Sequence, residues 1–244
     1  MTMAQSYHLP RLGIVVPAKD PGASFDGHLA KLLRLAQERT NVEVVVVDDG
    51  SVRGDLEQRV HAPAMFLRHE SNRGKGAALR TGFTHLLGRG FGAGDLLGFI
   101  DADGDIAAEE LFRLAELAAG TPGAVGAKTD AHRSSLLRAT TSAVFAGLVR
   151  LLVPTGMART QVGVKVFDAG FLARALPHSR EEGFLFDVEV LAFAYRNRVS
   201  LSQVGVVFTT AATESTVRPK HVRQMAFGLL KLSARTRRGR LLRQ

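Results

Sequence analysis

Asp101, Asp103 and Asp105 alternate directly after the apolar run Leu96 to Ile100. The run reads as a buried strand, and ligands of open α/β sheets bind beyond the carboxyl ends of strands. Carboxylates this close repel one another unless a cation or hydrogen bonds offset the repulsion. Oxygen ligands suit a hard cation such as Mg²⁺ or Mn²⁺. Held by one or two carboxylates, such an ion completes its shell with substrate phosphates. The stretch therefore points to a metal-bound nucleotide diphosphate. The alternative is a polar turn in which Asp105 caps a helix starting near Ala107.

Two further stretches carry compatible chemistry. Val42 to Val47 runs directly into Asp48-Asp49-Gly50-Ser51, a second strand end bearing acids. Asn72-Arg73-Gly74-Lys75-Gly76 leads into a helix, an arrangement that can receive phosphate oxygens at a helix N-terminus. It lacks the spacing and the Ser/Thr of a Walker A loop, and a plain glycine-rich helix start is its alternative. The eight histidines show no metal-ligand spacing and read as structural or surface residues.

The elements that position these residues alternate in type. Leu12 to Pro17 is a short strand, His28 to Arg39 has helical spacing, and Val42 to Val47 is a β-branched strand buried on both faces. Ala64 to Leu67 is a weak third strand. Ala107 to Ala118 reads as an amphipathic helix, and Ala124 to Ala127 as a strand. Ser134 to Val153 reads as an amphipathic helix, whose 143–153 part suits either a buried face or a membrane interface. Val162 to Phe167 alternates as a strand, Phe184 to Tyr195 as a helix, and Gln203 to Thr209 as a last strand. Such alternation predicts βαβ units and a mostly parallel sheet flanked by helices.

The 244 residues, 45% hydrophobic, suffice for one large α/β domain. With no cysteine, disulfides and thiolate metal sites are excluded. The polar start lacks the apolar core of a signal peptide, and no run of about 18 apolar residues predicts a membrane span. The net charge of +9 resides in the tail: no acid follows Glu214, whereas nine Lys and Arg do, leaving 23 basic residues against 23 acidic ones before it. Residues 219–244 form a basic amphipathic C-terminal segment, with apolar residues at Val222, Met225, Ala226, Leu229 and Leu232. Residues 1–10 read as an N-terminal tail and 11–218 as a single domain.

In this order the motifs resemble the inverting family 2 glycosyltransferases of the GT-A fold, and among them the polyprenyl-phosphate sugar synthases that act on dolichyl-type lipids with glucose or mannose. The resemblance spans roughly Leu12 to Arg218. It implies that Pro17, Ala18 and Asp20 form the nucleotide-binding loop after the first strand. Asp48 or Asp49 then accepts hydrogen bonds from base and ribose, and Lys75 lies near the phosphates. Asp101-Ala102-Asp103 matches the Asp-X-Asp metal motif, with Asp105 as a further ligand. Thr160-Gln161-Val162-Gly163-Val164-Lys165 is similar to a Thr-Gln-Cys-Gly-Phe-Lys signature of the glucosyltransferase branch, which carries an Asp before its threonine where this chain has Arg159. Phe186-Asp187-Val188-Glu189 matches a Phe-Asp-Val-Glu helix start. Where Gly-Ser-Lys-Val is common, this chain has Glu214-Ser215-Thr216-Val217, with Arg218 as a substitute charge.

The implied reaction moves glucose from UDP-glucose, or mannose from GDP-mannose, to a polyprenyl phosphate. Asp103, Lys165 and Asp187 are the implied catalytic residues and Gln161 a donor contact. A phosphate monoester with a second pKa of about 6 is largely ionised at neutral pH, so a protein base is not required. Lys165, Arg133, Arg138 and Arg218 are the candidates for holding the acceptor phosphate. The expected setting is cytoplasmic, peripheral on the inner face of the membrane, with no nucleic acid partner. Three readings compete. A hydroxyl acceptor would need Asp187 or Glu189 as base. A nucleotidylyltransferase would need a glycine-rich loop after the first strand. A nucleic-acid-binding protein would need only the basic tail.

Overall fold

The computed structural model describes residues 10–128, 147, 153, 155, 157, 162–209 and 228–235. Strands β1 (Leu12–Ala18), β2 (Val42–Asp48), β3 (Met65–Arg68), β4 (Leu96–Ile100), β5 (Gly123–Lys128), β6 (Val164–Asp168) and β7 (Ser202–Val206) form one sheet in the order β3-β2-β1-β4-β6-β5-β7. All adjacent pairs are parallel except those made by β6, which runs antiparallel to β4 and β5. The mostly parallel α/β architecture expected from the alternation is thus present.

Apolar side chains alternate between two cores. Ile14, Val16, Val44, Val46, Leu96 and Ile100 face one side, against helices α1 (Ser24–Gln37) and α4 (Ala108–Ala118). Val15, Val45, Val47, Leu97 and Phe99 face the other. That side is covered by α3 (Lys75–Gly88), α5 (Ala169–Ala175) and α6 (Phe186–Arg196), with a one-turn helix α2 (Leu56–Arg59) elsewhere in the β2–β3 connection. Each fully buried Val, Leu or Phe contributes about 1.5–3 kcal/mol, so burial on both faces explains why these strands read as continuous apolar runs.

Several boundaries differ from the sequence reading. Helix α1 starts at Ser24 rather than His28 because Phe25, fully buried, adds a turn to the apolar stripe. Strand β7 ends at Val206, after which Phe208 makes a single antiparallel bridge to Ile106. Helix α5 was not anticipated; Asp168 starts it by accepting the Phe171 N–H at 2.7 Å, a regular N-cap interaction. Helix α4 has Ala107 at its N-cap and no side-chain cap, so Asp105 does not play the capping role.

Of the basic tail, residues 228–235 are helical. Leu229 and Leu232 are buried with Val153, Leu185, Val188 and Ala192, so this part of the amphipathic face packs on α6. Apart from residues 147 and 153, the 134–153 segment lies outside the described residues, as does the tail before residue 228. Among the described residues, no helix is long and apolar enough to cross a membrane.

Candidate active site

The chain order reverses between neighbours β1 and β4, with β2 and β3 to one side. That is the topological switch point of an open α/β sheet, where ligands bind. Asp20 follows β1, Asp48 ends β2 and Asp101 follows β4. Since β6 is reversed, its first residues reach this same edge, with Val164 opposite Ile100 and Lys165 opposite Phe99.

Asp101 is fixed from three directions. Its N–H donates to the Gly163 carbonyl at 2.9 Å, and the Lys75 ammonium stands 2.5 Å from its Oδ1. A Cβ on Gly163 would collide with Asp101 Oδ2, so only glycine lets that carboxylate pack onto the backbone entering β6. Burial pulls the Lys75 pKa down, but Asp101, with Asp187 and Asp103 beyond it, outweighs this and holds the ammonium above its ordinary value.

Asp103 differs. Burial, then the charges of Asp101 and Asp105, push its carboxyl up to about 6, against a stabilising hydrogen bond from the Asp105 N–H at 3.1 Å. The strand end therefore holds one carboxylate paired with lysine and one whose charge is disfavoured first by burial and then by repulsion from its acidic neighbours. That repulsion is what a bound cation would relieve. Among the described residues, no three His, Asp or Glu side chains are grouped to hold a metal ion. The expected trio of Asp101, Asp103 and Asp105 is thus not a three-carboxylate cage, because Asp101 is turned onto Lys75 and Gly163.

Lys165 is fully buried. Its ammonium donates to Asp187 Oδ2 at 2.7 Å and to the Val162 carbonyl at 2.8 Å. Burial, helped by the charge of Lys75, draws its pKa down despite Asp187. The ammoniums of Lys75 and Lys165 lie 5.2 and 5.3 Å from the centroid of the Phe99 ring, close enough for cation–π attraction. Lys165 was expected at the acceptor phosphate. The structure instead places it beneath the site, where it holds Asp187, because α6 covers the face of β6 on which it lies.

At the end of β2, Asp48 is fully buried; its Oδ1 accepts the Ser51 N–H at 2.9 Å, and its Oδ2 is 3.5 Å from Arg68 Nε. Asp49 was expected to bind the nucleoside but is occupied by the loop that follows β3. Its Oδ1 accepts from Arg73 N–H and pairs with His69 Nδ1, both at 2.9 Å, and its Oδ2 accepts from Gly74 N–H at 2.7 Å. His69 reaches Thr81 through its other nitrogen. Asp20 accepts from the N–H groups of Val52 and Arg53 and pairs with Lys19. Burial pushes the Asp20 carboxyl up, but those hydrogen bonds win and hold it below its usual value. Pro17 and Ala18 close β1 beside Val47 and Asp48.

A fourth segment was not visible in the sequence. Glu189 is 1% exposed, and its Oε2 accepts from Ser179 Oγ, Arg180 N–H and Glu181 N–H at 2.7–2.9 Å. The loop it shapes meets the glycine-rich loop: Ala77 N–H donates to the Glu182 carbonyl at 3.1 Å, and Gly74, at φ 105°, leaves no room there for a Cβ. Gln161, Arg133, Arg138 and Arg218, together with Arg159 and Thr216, lie outside the described residues.

Residues 14–168, well over half of the chain, match glycosyl transferase family 2. The chain belongs to that family. It is 25% identical over 225 residues to the dolichyl-phosphate β-glucosyltransferase of Saccharomyces cerevisiae, covering 80% of this chain and 66% of the yeast protein. It is 24% identical over 222 residues to the enzyme of the same name from Dictyostelium discoideum, with 81% and 66% covered. This family 2 chain thus spans about two thirds of the length of the curated relatives it matches. Its fold is also that of glucosyl-3-phosphoglycerate synthase from Mycobacterium tuberculosis. A crystal structure of that enzyme with Mn²⁺, UDP-glucose and phosphoglyceric acid superposes with a TM-score of 0.69 at 18% identity, covering 94% of this chain and 80% of that one.

Proposed function

We propose that this chain transfers glucose from a nucleoside-diphosphate sugar to a dolichyl-type polyprenyl phosphate, with inversion at the sugar. The observation that carries the reading is the pairing at the switch point of a lysine-neutralised Asp101 with an Asp103 held near 6. This suits a site that receives a diphosphate together with its counter-ion. Glucose rather than mannose is favoured by the two dolichyl-phosphate β-glucosyltransferases.

The residues present fit a divalent cation, Mn²⁺ or Mg²⁺, with Asp103 as its main protein ligand and substrate oxygens completing the shell. When bound, the cation offsets charge developing on the departing diphosphate. Lys75 adds a fixed positive charge on the same side. Gly163 and Lys75 keep Asp101 in place, Asp48 lies at the nucleoside side, and Lys165 orients Asp187 at the start of α6.

The state of the carboxylates supports a phosphate acceptor. A hydroxyl acceptor requires a base, yet Asp187 accepts from Lys165 and from Val188 N–H, and Glu189 is buried on the 179–181 loop. A phosphate monoester arrives ionised and needs cations to position it. Arg133, Arg138, Gln161 and Arg218 remain proposed contacts for acceptor or donor. A lipid acceptor places the reaction at a membrane surface, proposed as the cytoplasmic face with peripheral attachment through the basic tail.

The test is transfer of labelled sugar from UDP-glucose or GDP-mannose to dolichyl phosphate by the purified full chain with Mn²⁺. Glucosyl-lipid from UDP-glucose is the expected product. Mannosyl-lipid would overturn the donor assignment. Transfer only to a hydroxyl acceptor would overturn the phosphate.

A further inference from the structure

Arg235 lies in the basic tail, far from the site in sequence. Its side chain nevertheless turns inward rather than toward solvent. Its Nη2 contacts Glu181 Oε1 and stands 3.3 Å from Glu189 Oε1. Both acids are enclosed, with side-chain exposures of 17% and 1%. Two carboxylates so close repel each other unless a cation lies between them. Arg235 supplies that cation, and Leu229 and Leu232 of the same helix anchor it on α6.

The pair that Arg235 neutralises shapes the loop against which the glycine-rich loop rests. Glu189 gathers the N–H groups of residues 180 and 181. Arg80 of α3 donates to the Glu181 carbonyl at 3.0 Å. The Glu182 carbonyl receives Ala77 N–H, and a Cβ on Gly76 would lie 2.6 Å from the Glu181 carbonyl oxygen. The first turn of α3 is therefore seated on residues 181 and 182, and that turn carries Lys75.

We propose that Arg235 is a positioning residue for the donor site: by neutralising Glu181 and Glu189 it fixes the 179–183 loop, and through that loop the placement of Lys75 against Asp101. The proposal rests on the glucosyl-transfer reading for its kinetic test and on geometry alone for its structural one. It ties the C-terminal helix to the nucleotide end of the site, so the helix is part of the enzyme's working structure as well as a candidate membrane contact.

The test uses the full chain and the variants Arg235→Gln, Arg235→Lys and Arg235→Gln combined with Glu181→Gln. Two quantities are measured: donor KM and kcat with UDP-glucose, Mn²⁺ and dolichyl phosphate, and amide hydrogen exchange without ligands. Losing a hydrogen-bonded charge partner predicts a donor KM raised about tenfold in Arg235→Gln, with a smaller change in kcat. Arg235→Lys keeps the charge and recovers KM to within about threefold of the parent, short of full recovery because lysine lacks the planar fork. Exchange rises at residues 74–78 and 179–183 while the β1 and β2 amides stay protected.

A folded Arg235→Gln protein with unchanged KM and unchanged exchange at those loops would overturn the proposal. So would exchange rising evenly through the sheet with KM unchanged, the mark of a purely structural arginine. If Arg235→Gln does not fold, Glu181→Gln is added to it, which removes the repulsion that the missing cation leaves. The double variant is expected to fold, with exchange at residues 74–78 and 179–183 back near that of the parent; a double variant that also fails to fold, or folds with those loops still exposed, would overturn the proposal. Absence of transfer from UDP-glucose by the parent chain would refute the glucosyl-transfer reading instead, and the exchange comparison would still decide the role of Arg235.

Discussion

The Lys75 ammonium stands 2.5 Å from Asp101 Oδ1, joining the first residue of α3 to the first residue after β4. This contact separates the roles of two acids only two positions apart. Asp101 is neutralised and fixed, while Asp103, without a lysine of its own in contact, carries the repulsion of the strand end. In the proposed account, Asp101 builds the site and Asp103 is the acid available to a cation.

Asp103→Asn tests that division without any assay of turnover. Removing the repelled carboxylate should raise the thermal midpoint of the metal-free protein, by an amount corresponding to about 1 kcal/mol once solvent screening is allowed for. The same variant should lose the stabilisation that Mn²⁺ with UDP-glucose gives the parent. A lower midpoint for the metal-free variant would show that Asp103 is a structural acid.

Gly163→Ala places a methyl group against Asp101 Oδ2. Relief requires the carboxylate or the β6 entry to shift, at a cost of about 1–3 kcal/mol. We expect a folded protein with a lower denaturation midpoint and donor affinity reduced by an order of magnitude or more, read by chemical denaturation and calorimetry. Parent-like donor affinity would mean that the orientation of Asp101 is unimportant.

Lys165 and Asp187 form a pair whose loss should be asymmetric. Lys165→Met leaves Asp187 without its cation and should cost about 3 kcal/mol. Adding Asp187→Leu should recover much of that stability, because no unpaired charge then remains, without recovering activity. Urea denaturation of the single and double variants measures the difference. Equal loss in both would show that packing, not charge, sets the cost.

Glu43 is tied to Arg11 at 2.8 Å and Arg89 at 2.6 Å. Burial raises its pKa, but the hydrogen bonds from the two arginines win and hold it below the ordinary value of 4.5. Its folded-state pKa is depressed, so its contribution is fully present above about 4.5 and is lost as pH falls through the lower folded value. Glu43→Gln should therefore destabilise by roughly 1 kcal/mol at pH 7, allowing for partial exposure, and by progressively less below pH 4.5. A difference independent of pH would contradict the ion-pair account.

The sequence made the central parallel strands β1, β2 and β4 legible because they are buried on both faces: Leu96 to Ile100 is fully enclosed and its pattern needs no tertiary knowledge. The acids after it were legible for the same reason, since a strand end fixes where they fall. Lys165 was not. Its alternation with Val164 and Val166 suggests a half-exposed strand, but β6 is reversed and α6 lies over that face, closing the lysine inside with Asp187. Glu189 gave no sign of its role either: it stands near a helix start, where an acid suits the dipole, whereas the two amides and the hydroxyl it gathers come from eight to ten residues upstream. Arg235 carried no local signal, since charge in a basic tail looks solvated until its partners are known.

The most direct test of the central claim is calorimetric titration of the full chain with UDP-glucose, in Mn²⁺ and in EDTA, for the parent and for Asp103→Asn. Saturable binding in Mn²⁺, weakened by an order of magnitude or more in EDTA and in the Asp103→Asn variant, is the predicted result. Binding of equal strength in EDTA and in the variant would contradict it, because the acids after β4 would then have no part in holding the donor.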